Sequence, residues 1–273
     1  MKYLELNNGV KIPMLGLGVF RMEDEKEAYN SVRKAIEIGY RHIDTAMIYE
    51  NEEPVGRAVR DSGVDREEFF VTTKLWNDDI LSDNAQKAFE TSLKKLGLDY
   101  VDLYLVHWPM KDKYVSVWKE MEKIAQSGKA RAVGVSNYLE KHLQGILDLN
   151  SLVPAVNQIE LHPYLSQKPL VEFCTQYDIK VESWSPFCAN KNNLLKEEVL
   201  EEIGEKYSKT AAQVILRWNI ERGLIVIPKS SSPVRQAENL DVFDFELTVE
   251  DMEKIDSLNK DERVGSHPDD VGF

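Results

Sequence analysis

The chain alternates short apolar runs with amphipathic segments along most of its length. Runs rich in Val, Ile, Leu and aromatic residues predict buried strands. Segments with apolar residues at helical spacing lie between them, and several end at a glycine, which commonly stops a helix. The eight runs are MLGLGVF at 14–20, RHIDTA at 41–46, FFVTTK at 69–74, YVDLYLVHW at 100–108, ARAVGVSN at 130–137, PAVNQIEL at 154–161, IKVESWSP at 179–186 and LIVIPK at 224–229.

Eight strand–helix units in a chain of 273 residues predict the α/β fold called a (β/α)8 barrel, or TIM barrel, which typically takes roughly 250 residues. A doubly wound open sheet is the alternative, because strand order cannot be read from one sequence. The Gly16-Leu17-Gly18 stretch lacks the third glycine of a dinucleotide-binding fingerprint, so a Rossmann domain is not expected. No linker or low-complexity segment divides the chain, which predicts a single domain over 1–273.

Three further segments lie outside the eight units. At the start, YLELNNGVKIP carries Asn8-Gly9 between two short alternating runs, which predicts a β-hairpin that could plug one end of the barrel. Two additional amphipathic helices are predicted, at 196–208 and at 248–259, and Thr248 is placed to cap the second.

Composition and charge narrow the possible partners. The formal net charge of −13 gives a field that repels phosphate backbones, and no dense Lys/Arg block offsets it, so nucleic acid is not expected as a partner. No apolar run is long enough for a membrane span, and the first residues do not resemble a signal peptide, so we expect a cytoplasmic monomer. Cys174 and Cys188 show no metal-ligand spacing and are interpreted as reduced, structural residues; no metal is expected.

Polar or ionisable side chains recur near the ends of successive predicted strands. The carboxyl ends of barrel strands meet on one face, where the following loops form active sites. Taken singly, such residues could form a structural ion pair or a hydrogen-bonded core, but their recurrence on one face favours a functional site. The residues concerned are Asp44, Lys74, His107, Asn137, Gln158 and Glu160, with Tyr49 shortly after the second strand.

These residue types together suit carbonyl reduction. A tyrosine with an ordinary pKa near 10 is a reluctant acid, and an adjacent Lys74 ammonium is expected to lower the pKa of Tyr49. Asp44 would keep Lys74 charged, and the same cation disfavours an imidazolium at His107, which is better suited to orienting a carbonyl oxygen. Tyr49 is then the acid that protonates the forming alkoxide. No side chain can deliver hydride, so a bound cofactor must supply it.

A second site is indicated in VIPKSSSPVRQAEN at 226–239. Ser232 is placed to cap a helix whose amino end is flanked by Lys229 and Arg235, and such an end attracts anions. Arg can bind a phosphate through two hydrogen bonds. A well-capped helix without a ligand is the alternative from this stretch alone. Trp184, late in the seventh strand, could stack on a flat ring or belong to the core.

The stretches HIDTAMIYENEEPVG, LKKLGLDYVDLYLVHWP, GVSN, NQIELHP and IPKSSSPVRQAEN resemble motifs of the aldo-keto reductase superfamily, in register from about residue 5 to residue 268. That resemblance implies a (β/α)8 barrel that reduces aldehydes and ketones with NADPH. It implies that Tyr49 is the acid, that Lys74 and Asp44 tune it, and that His107 orients the substrate.

The resemblance also implies which residues contact the ligands. Ser136, Asn137 and Gln158 would hold the nicotinamide carboxamide, and Trp184 would stack on its ring. The substrate would meet Phe20, Tyr49, Trp76, His107 and Trp108. The full set implied to contact NADPH is Gly18, Val19, Phe20, Asp44, Ser136, Asn137, Gln158, Trp184, Ser185, Pro186, Phe187, Lys229, Ser230, Ser231, Ser232, Arg235, Glu238 and Asn239.

Some positions depart from the family pattern. Val19-Phe20 replaces a frequent Thr-Trp, and Glu50 replaces a common glycine, which leaves the substrate contacts there open. The loop after His107 and the tail after Arg263 are short, as in the bacterial 2,5-diketo-gluconate reductase and glyoxal reductase branch. We therefore expect an open, wet mouth that accepts small dicarbonyls such as methylglyoxal, aromatic aldehydes and keto-sugar acids.

Two other functions fit parts of the pattern. A lysine at a strand end could form a Schiff base in an aldolase, although a phenol and a carboxylate beside Lys74 fit proton transfer better. A barrel of this kind could also be a non-catalytic subunit that senses the cofactor, and turnover of a carbonyl substrate would distinguish that from an enzyme.

Overall fold

The computed structural model describes residues 1–271; residues 272 and 273, the last two of the predicted domain, lie outside it. Eight parallel strands follow each other in chain order around one sheet, and each lies in one of the eight predicted runs to within one residue. They are β3 (Leu17–Gly18), β4 (His42–Asp44), β5 (Phe70–Leu75), β6 (Val101–Val106), β7 (Ala130–Ser136), β8 (Val156–Glu160), β9 (Lys180–Trp184) and β10 (Ile225–Ile227). Only β5 passes the end of its predicted run, by the single residue Leu75.

The sheet closes because its first and last strands meet. Gly16 N donates to Val226 O at 3.0 Å, and Gly18 N donates to Pro228 O at 3.1 Å. A Cβ atom on Gly16 would lie only 2.7 Å from the imidazole of His42, so this close approach requires a glycine. The predicted barrel is confirmed, and the open doubly wound sheet is excluded.

Helices surround the barrel and shield the outer face of its strands. Glycine ends α1, where Gly39 has φ 121°, and α4, where Gly97 has φ 62°. Thr248 Oγ1 accepts from Asp251 N and caps the last helix as predicted. The helices are α1 (Glu25–Ile38), α2 (Glu52–Arg60), α3 (Asn77–Leu81), α4 (Ala85–Leu96), α5 (Tyr114–Gln126), α6 (Glu140–Leu147), α7 (Lys168–Gln176), α8 (Glu198–Tyr207), α9 (Ala211–Glu221), α10 (Pro233–Leu240) and α11 (Val249–Asp256).

The predicted hairpin covers the amino end of the barrel. Strands β1 (Tyr3–Glu5) and β2 (Lys11–Pro13) pair antiparallel around the Asn8-Gly9 turn. Leu6 and Ile12 are buried and pack in one cluster with apolar side chains from the barrel interior. The hairpin therefore covers the apolar interior of the barrel at this end, and the carboxyl end of the strands is the one that it leaves uncovered.

Two further predictions concern the state of the two cysteines and the presence of membrane-spanning helices. Cys174 and Cys188 are buried, unpaired thiols, in keeping with a structural role. Among residues 1–271, no helix is both long and apolar enough to cross a membrane.

A buried carboxylate ties three strands together near the amino end. Asp102, in β6, is fully buried and accepts from Arg66 and Arg131, each at 2.7 Å. Val71 N, in β5, donates to the same carboxylate at 2.9 Å. Every oxygen of this buried charge therefore has a partner, which is the condition for burying it at all.

We predict that Asp102→Asn lowers the free energy of unfolding by about 3 kcal/mol, because both guanidinium groups lose their charged partner in a partly buried place. Chemical denaturation measures the change. The matched control is Glu90→Gln, which removes an exposed ion pair with Lys129 and should cost less than about 1 kcal/mol. Equal effects of the two substitutions would contradict the structural role of Asp102.

Candidate active site

An ion pair lies out of water at the carboxyl end of the strands. Lys74 Nζ is 2.6 Å from Asp44 Oδ1 and donates to Thr45 O at 2.9 Å. Both charged side chains are almost completely buried. Burial alone would lower the pKa of Lys74, but Asp44 and Tyr49 together raise that pKa above its usual range. Lys74 is therefore an ammonium at neutral pH.

Tyr49 lies against this ammonium. It ends a 3₁₀ turn, Met47–Tyr49, and Lys74 Nζ is 5.1 Å from the centroid of its ring. Burial raises the pKa of Tyr49, and the opposing effect of Lys74 does not cancel it. Lys74 lowers the pKa of Tyr49 as predicted, but the larger effect of burial, which the prediction did not include, raises this pKa overall. The phenol keeps its proton at neutral pH.

Asn51 holds the loop that carries Tyr49. Its Nδ2 donates to Val19 O at 3.0 Å, and its Oδ1 accepts from Thr45 Oγ1 at 2.6 Å. Glu50, between Tyr49 and Asn51, has φ 56°, a left-handed conformation that favours glycine. Asn51 was missed from the sequence, because its burial, at 1% exposed, is visible only in the structure.

Aromatic side chains line the mouth above the ion pair. The ring of Tyr49 lies 5.0 Å from Phe20 and 5.8 Å from His107. Trp76 lies 5.2 Å from His107, and Trp108 stacks parallel to His107 at 6.4 Å. Phe20 is 51% exposed, so this side of the mouth is open to solvent. The structure thus brings together all five residues predicted to contact the substrate.

His107 is neutral in this setting. Burial and the Lys74 ammonium hold the pKa of His107 well below its ordinary value. Its backbone oxygen accepts from Asn137 Nδ2 at 3.0 Å, which joins the ends of β6 and β7. The imidazole therefore carries one ring proton and can orient a polar ligand without being the source of a proton at neutral pH.

The residues predicted to hold a nicotinamide are linked to each other and to the ion pair. Ser136 Oγ donates to Gln158 O at 2.9 Å, and Trp184 Nε1 donates to Asn137 Oδ1 at 2.9 Å. Gln158 Nε2 donates to Asp44 Oδ2 at 2.8 Å. Trp184 is partly exposed, which leaves part of its indole open at the mouth.

Glu182, in the middle of β9, is a buried carboxyl that the sequence analysis missed. It accepts from Gln158 Nε2 at 2.8 Å, and its second oxygen lies 3.5 Å from His42 Nε2. Burial and the nearby Asp44 charge raise the pKa of Glu182 to about 8. An acidic residue at the centre of a predicted buried strand was the available signal.

The carboxyl-terminal tail forms one wall of the mouth. Glu160, at the end of β8, accepts from Val264 N at 2.7 Å and from Gly265 N at 3.0 Å. A Cβ atom on Gly265 would lie 2.5 Å from the Trp184 ring, so tail and ring are in close contact. The mouth is therefore less open on this side than the sequence predicts, because a short tail is sufficient when a buried carboxylate anchors it.

The predicted anion site begins next to the ion pair. Gly18 pairs with Asp44 on one side and with Lys229 on the other, so the loop after β10 starts at the same end of the barrel. Ser230 O in this loop accepts from Gln236 Nε2 at 2.8 Å. Ser232 occupies the cap position of α10, but its side chain makes no capping hydrogen bond, which corrects the prediction.

The charges at this helix start are available to a ligand. Lys229 and Arg235 are exposed, and neither forms an ion pair with any of residues 1–271.

The other residues predicted to contact the cofactor differ in their exposure. Ser231 and Glu238 are exposed; Ser185 and Phe187 are half-buried; Val19, Pro186, Ser230 and Asn239 are buried.

Comparison with known proteins agrees with this geometry. The model of the Aldo/keto reductase family matches residues 14–260. Glyoxal reductase of Bacillus subtilis strain 168 is 52% identical over 270 residues, which cover 99% of this chain and 97% of that protein. Methylglyoxal reductase DkgA of Yersinia pestis is 46% identical, covering 98% of this chain and 97% of the other.

A solved structure extends the similarity to the whole fold. A mutant of Gox0644 in complex with NADPH superposes with a TM-score of 0.93 at 42% identity, covering 100% of this chain and 99% of that one. The barrel, the buried ion pair beside Tyr49 and these matches lead to one conclusion: the chain belongs to the aldo/keto reductase family and is an oxidoreductase.

Proposed function

We propose that this protein reduces aldehydes and ketones to alcohols with NADPH, and that Tyr49 is the general acid. The observation that carries the proposal is the position of a protonated phenol against the buried Lys74–Asp44 ion pair, at the end of the barrel that the hairpin leaves open. The names of the glyoxal and methylglyoxal reductases to which the chain is similar support the same reaction class.

The residues present suit NADPH. Lys229 and Arg235 are two exposed cations without an acidic partner among residues 1–271, and they flank the amino end of α10 in an otherwise acidic protein. Such a place suits the phosphates of the cofactor, including a 2′-phosphate. Trp184 offers a partly open ring for stacking. When bound, NADPH supplies hydride to the carbonyl carbon and leaves as NADP⁺.

The chain's own residues supply the proton and the orientation. A carbonyl oxygen that enters between Tyr49 and His107 can accept hydrogen bonds from both, which polarises the carbonyl group. As negative charge develops on that oxygen, the Tyr49 hydroxyl donates its proton and the alcohol forms. The resulting phenolate is stabilised by the Lys74 ammonium until it takes up a proton from solvent.

The aromatic mouth suggests the class of substrate. Trp76, Trp108 and the exposed Phe20 offer flat apolar walls around a small polar floor. Methylglyoxal and other small dicarbonyls, aromatic aldehydes and keto-sugar acids fit such a mouth. A Schiff-base aldolase is less well supported, because Asp44 and Tyr49 keep Lys74 protonated and therefore not nucleophilic.

We predict that Tyr49→Phe lowers kcat for carbonyl reduction roughly a hundredfold to ten-thousandfold, because it removes the proton donor and little volume. The affinity for NADPH, measured by fluorescence titration, should be unchanged. Tyr3→Phe, at an exposed tyrosine of the hairpin, is the matched control and should retain full activity. Near-normal turnover in Tyr49→Phe would transfer the acid role to another group.

A second prediction concerns cofactor choice. Arg235→Ala should raise KM for NADPH about tenfold to a hundredfold, because a charge-assisted hydrogen bond to the 2′-phosphate is lost. KM for NADH should change little, since NADH lacks that phosphate and serves as the internal control. Equal increases for both cofactors would place Arg235 away from the 2′-phosphate.

Substrate breadth provides the third test. We expect methylglyoxal, aromatic aldehydes and small dicarbonyls to be reduced with kcat/KM values within a few orders of magnitude of one another, because an open wall buries little of any substrate. Bulky rigid ketones such as steroids should be poor substrates. One compound reduced vastly better than its close analogues would show that Phe20, Glu50 or the tail forms a selective wall.

A further inference from the structure

We propose that Glu182 is a positioning residue: together with Asp44 it orients the amide of Gln158 so that the Gln158 carbonyl oxygen faces the nicotinamide carboxamide. The inference rests on the proposed function and goes beyond it, because Glu182 lies behind Gln158 and need not touch either ligand. Its basis is a buried hydrogen-bond arrangement between three strands of the barrel.

The amide nitrogen of Gln158 is held between two carboxyl groups. Gln158 and Glu182 are direct neighbours on the adjacent strands β8 and β9. Nε2 donates to Asp44 Oδ2 and to Glu182 Oε2, each at 2.8 Å. All three residues are at most 2% exposed. Both protons of the amide are therefore used, and each goes to a different carboxyl group.

This arrangement selects one of the two possible orientations of the amide. If the amide turned over, its oxygen would face Asp44 Oδ2, which has no proton to donate while Asp44 is paired with Lys74. That hydrogen bond would be lost inside a dry barrel, even where a protonated Glu182 donated to the turned oxygen. In the observed orientation Gln158 Oε1 points away from both, and none of the hydrogen bonds among residues 1–271 involves it. It remains an acceptor, which matches the N–H₂ group of a carboxamide.

Asp44 alone would hold the amide less firmly. Its other oxygen is committed to Lys74, so a single hydrogen bond would remain to Gln158. The last torsion of a glutamine side chain is broad, and one bond leaves it partly free. Glu182 adds the second bond from the opposite side, and His42 Nε2 lies 3.5 Å from the other Glu182 oxygen. Two fixed acceptors thus determine where Gln158 Oε1 lies.

The test compares binding of two ligands to the apo protein by isothermal titration. NADPH carries the carboxamide; 2′-phospho-ADP-ribose shares its phosphates but lacks the nicotinamide. Glu182→Met removes the acceptor, and we expect Kd for NADPH to rise roughly fivefold, as for the loss of one hydrogen bond, with Kd for the fragment unchanged. Glu182→Gln, which keeps an acceptor oxygen, is the matched control and should bind both ligands as the wild type does.

The other outcomes would overturn the proposal. Unchanged NADPH binding in Glu182→Met would show that Asp44 suffices, and an equal loss for both ligands would show a general structural defect. A Glu182→Gln protein as weak as Glu182→Met would assign the effect to charge. Should Glu182→Met not fold, Glu182→Thr, too short to reach Gln158, carries the same expectation. If the wild type bound no NADPH, the proposed function would be overturned together with this proposal. If the wild type bound NADPH and Glu182→Met bound it equally well, only the role of Glu182 would be overturned.

Discussion

The ion pair between Lys74 and Asp44 is buried at the carboxyl end of the barrel, and the other contacts of the site depend on this burial. Burying a charge costs several kcal/mol unless it is paired and hydrogen-bonded. Lys74 therefore also donates to Thr45 O, and the second oxygen of Asp44 accepts from Gln158. These requirements bring together β4, β5 and β8, which puts the charged centre beneath the mouth.

The Lys74 ammonium influences the protonation of two neighbours, Tyr49 and His107, which must be in different states for the proposed catalysis. Tyr49 is kept protonated because burial raises its pKa more than Lys74 lowers it. His107 is kept neutral because burial and Lys74 act in the same direction on its pKa. A phenol that retains its proton and an imidazole that does not gain one suit a division between proton donation and orientation. The burial of Lys74, Asp44 and His107 is therefore as important for these pKa values as the charge itself.

Positive charge serves different purposes at the two ends of the molecule. Near the amino end, Arg66 and Arg131 are used up by the buried carboxylate of Asp102. At the carboxyl end, Lys229 and Arg235 have no acidic partner among residues 1–271. The protein has a net charge of −13, which repels an anionic ligand. Unpaired cations beside the amino end of a helix create a local positive field that offsets this repulsion.

The sequence by itself determined the eight strand–helix units, the hairpin and the polar residues at the strand ends, because periodicity, turns and caps act over a few neighbouring residues. Only the tertiary structure decided which polar groups meet: the Gln158 amide joins Glu182 to Asp44, which lies on a strand distant in the chain. Packing likewise decided the sign of the Tyr49 pKa shift and brought Gly265 against the mouth. Burial and contact depend on the whole barrel, and no local pattern encodes them.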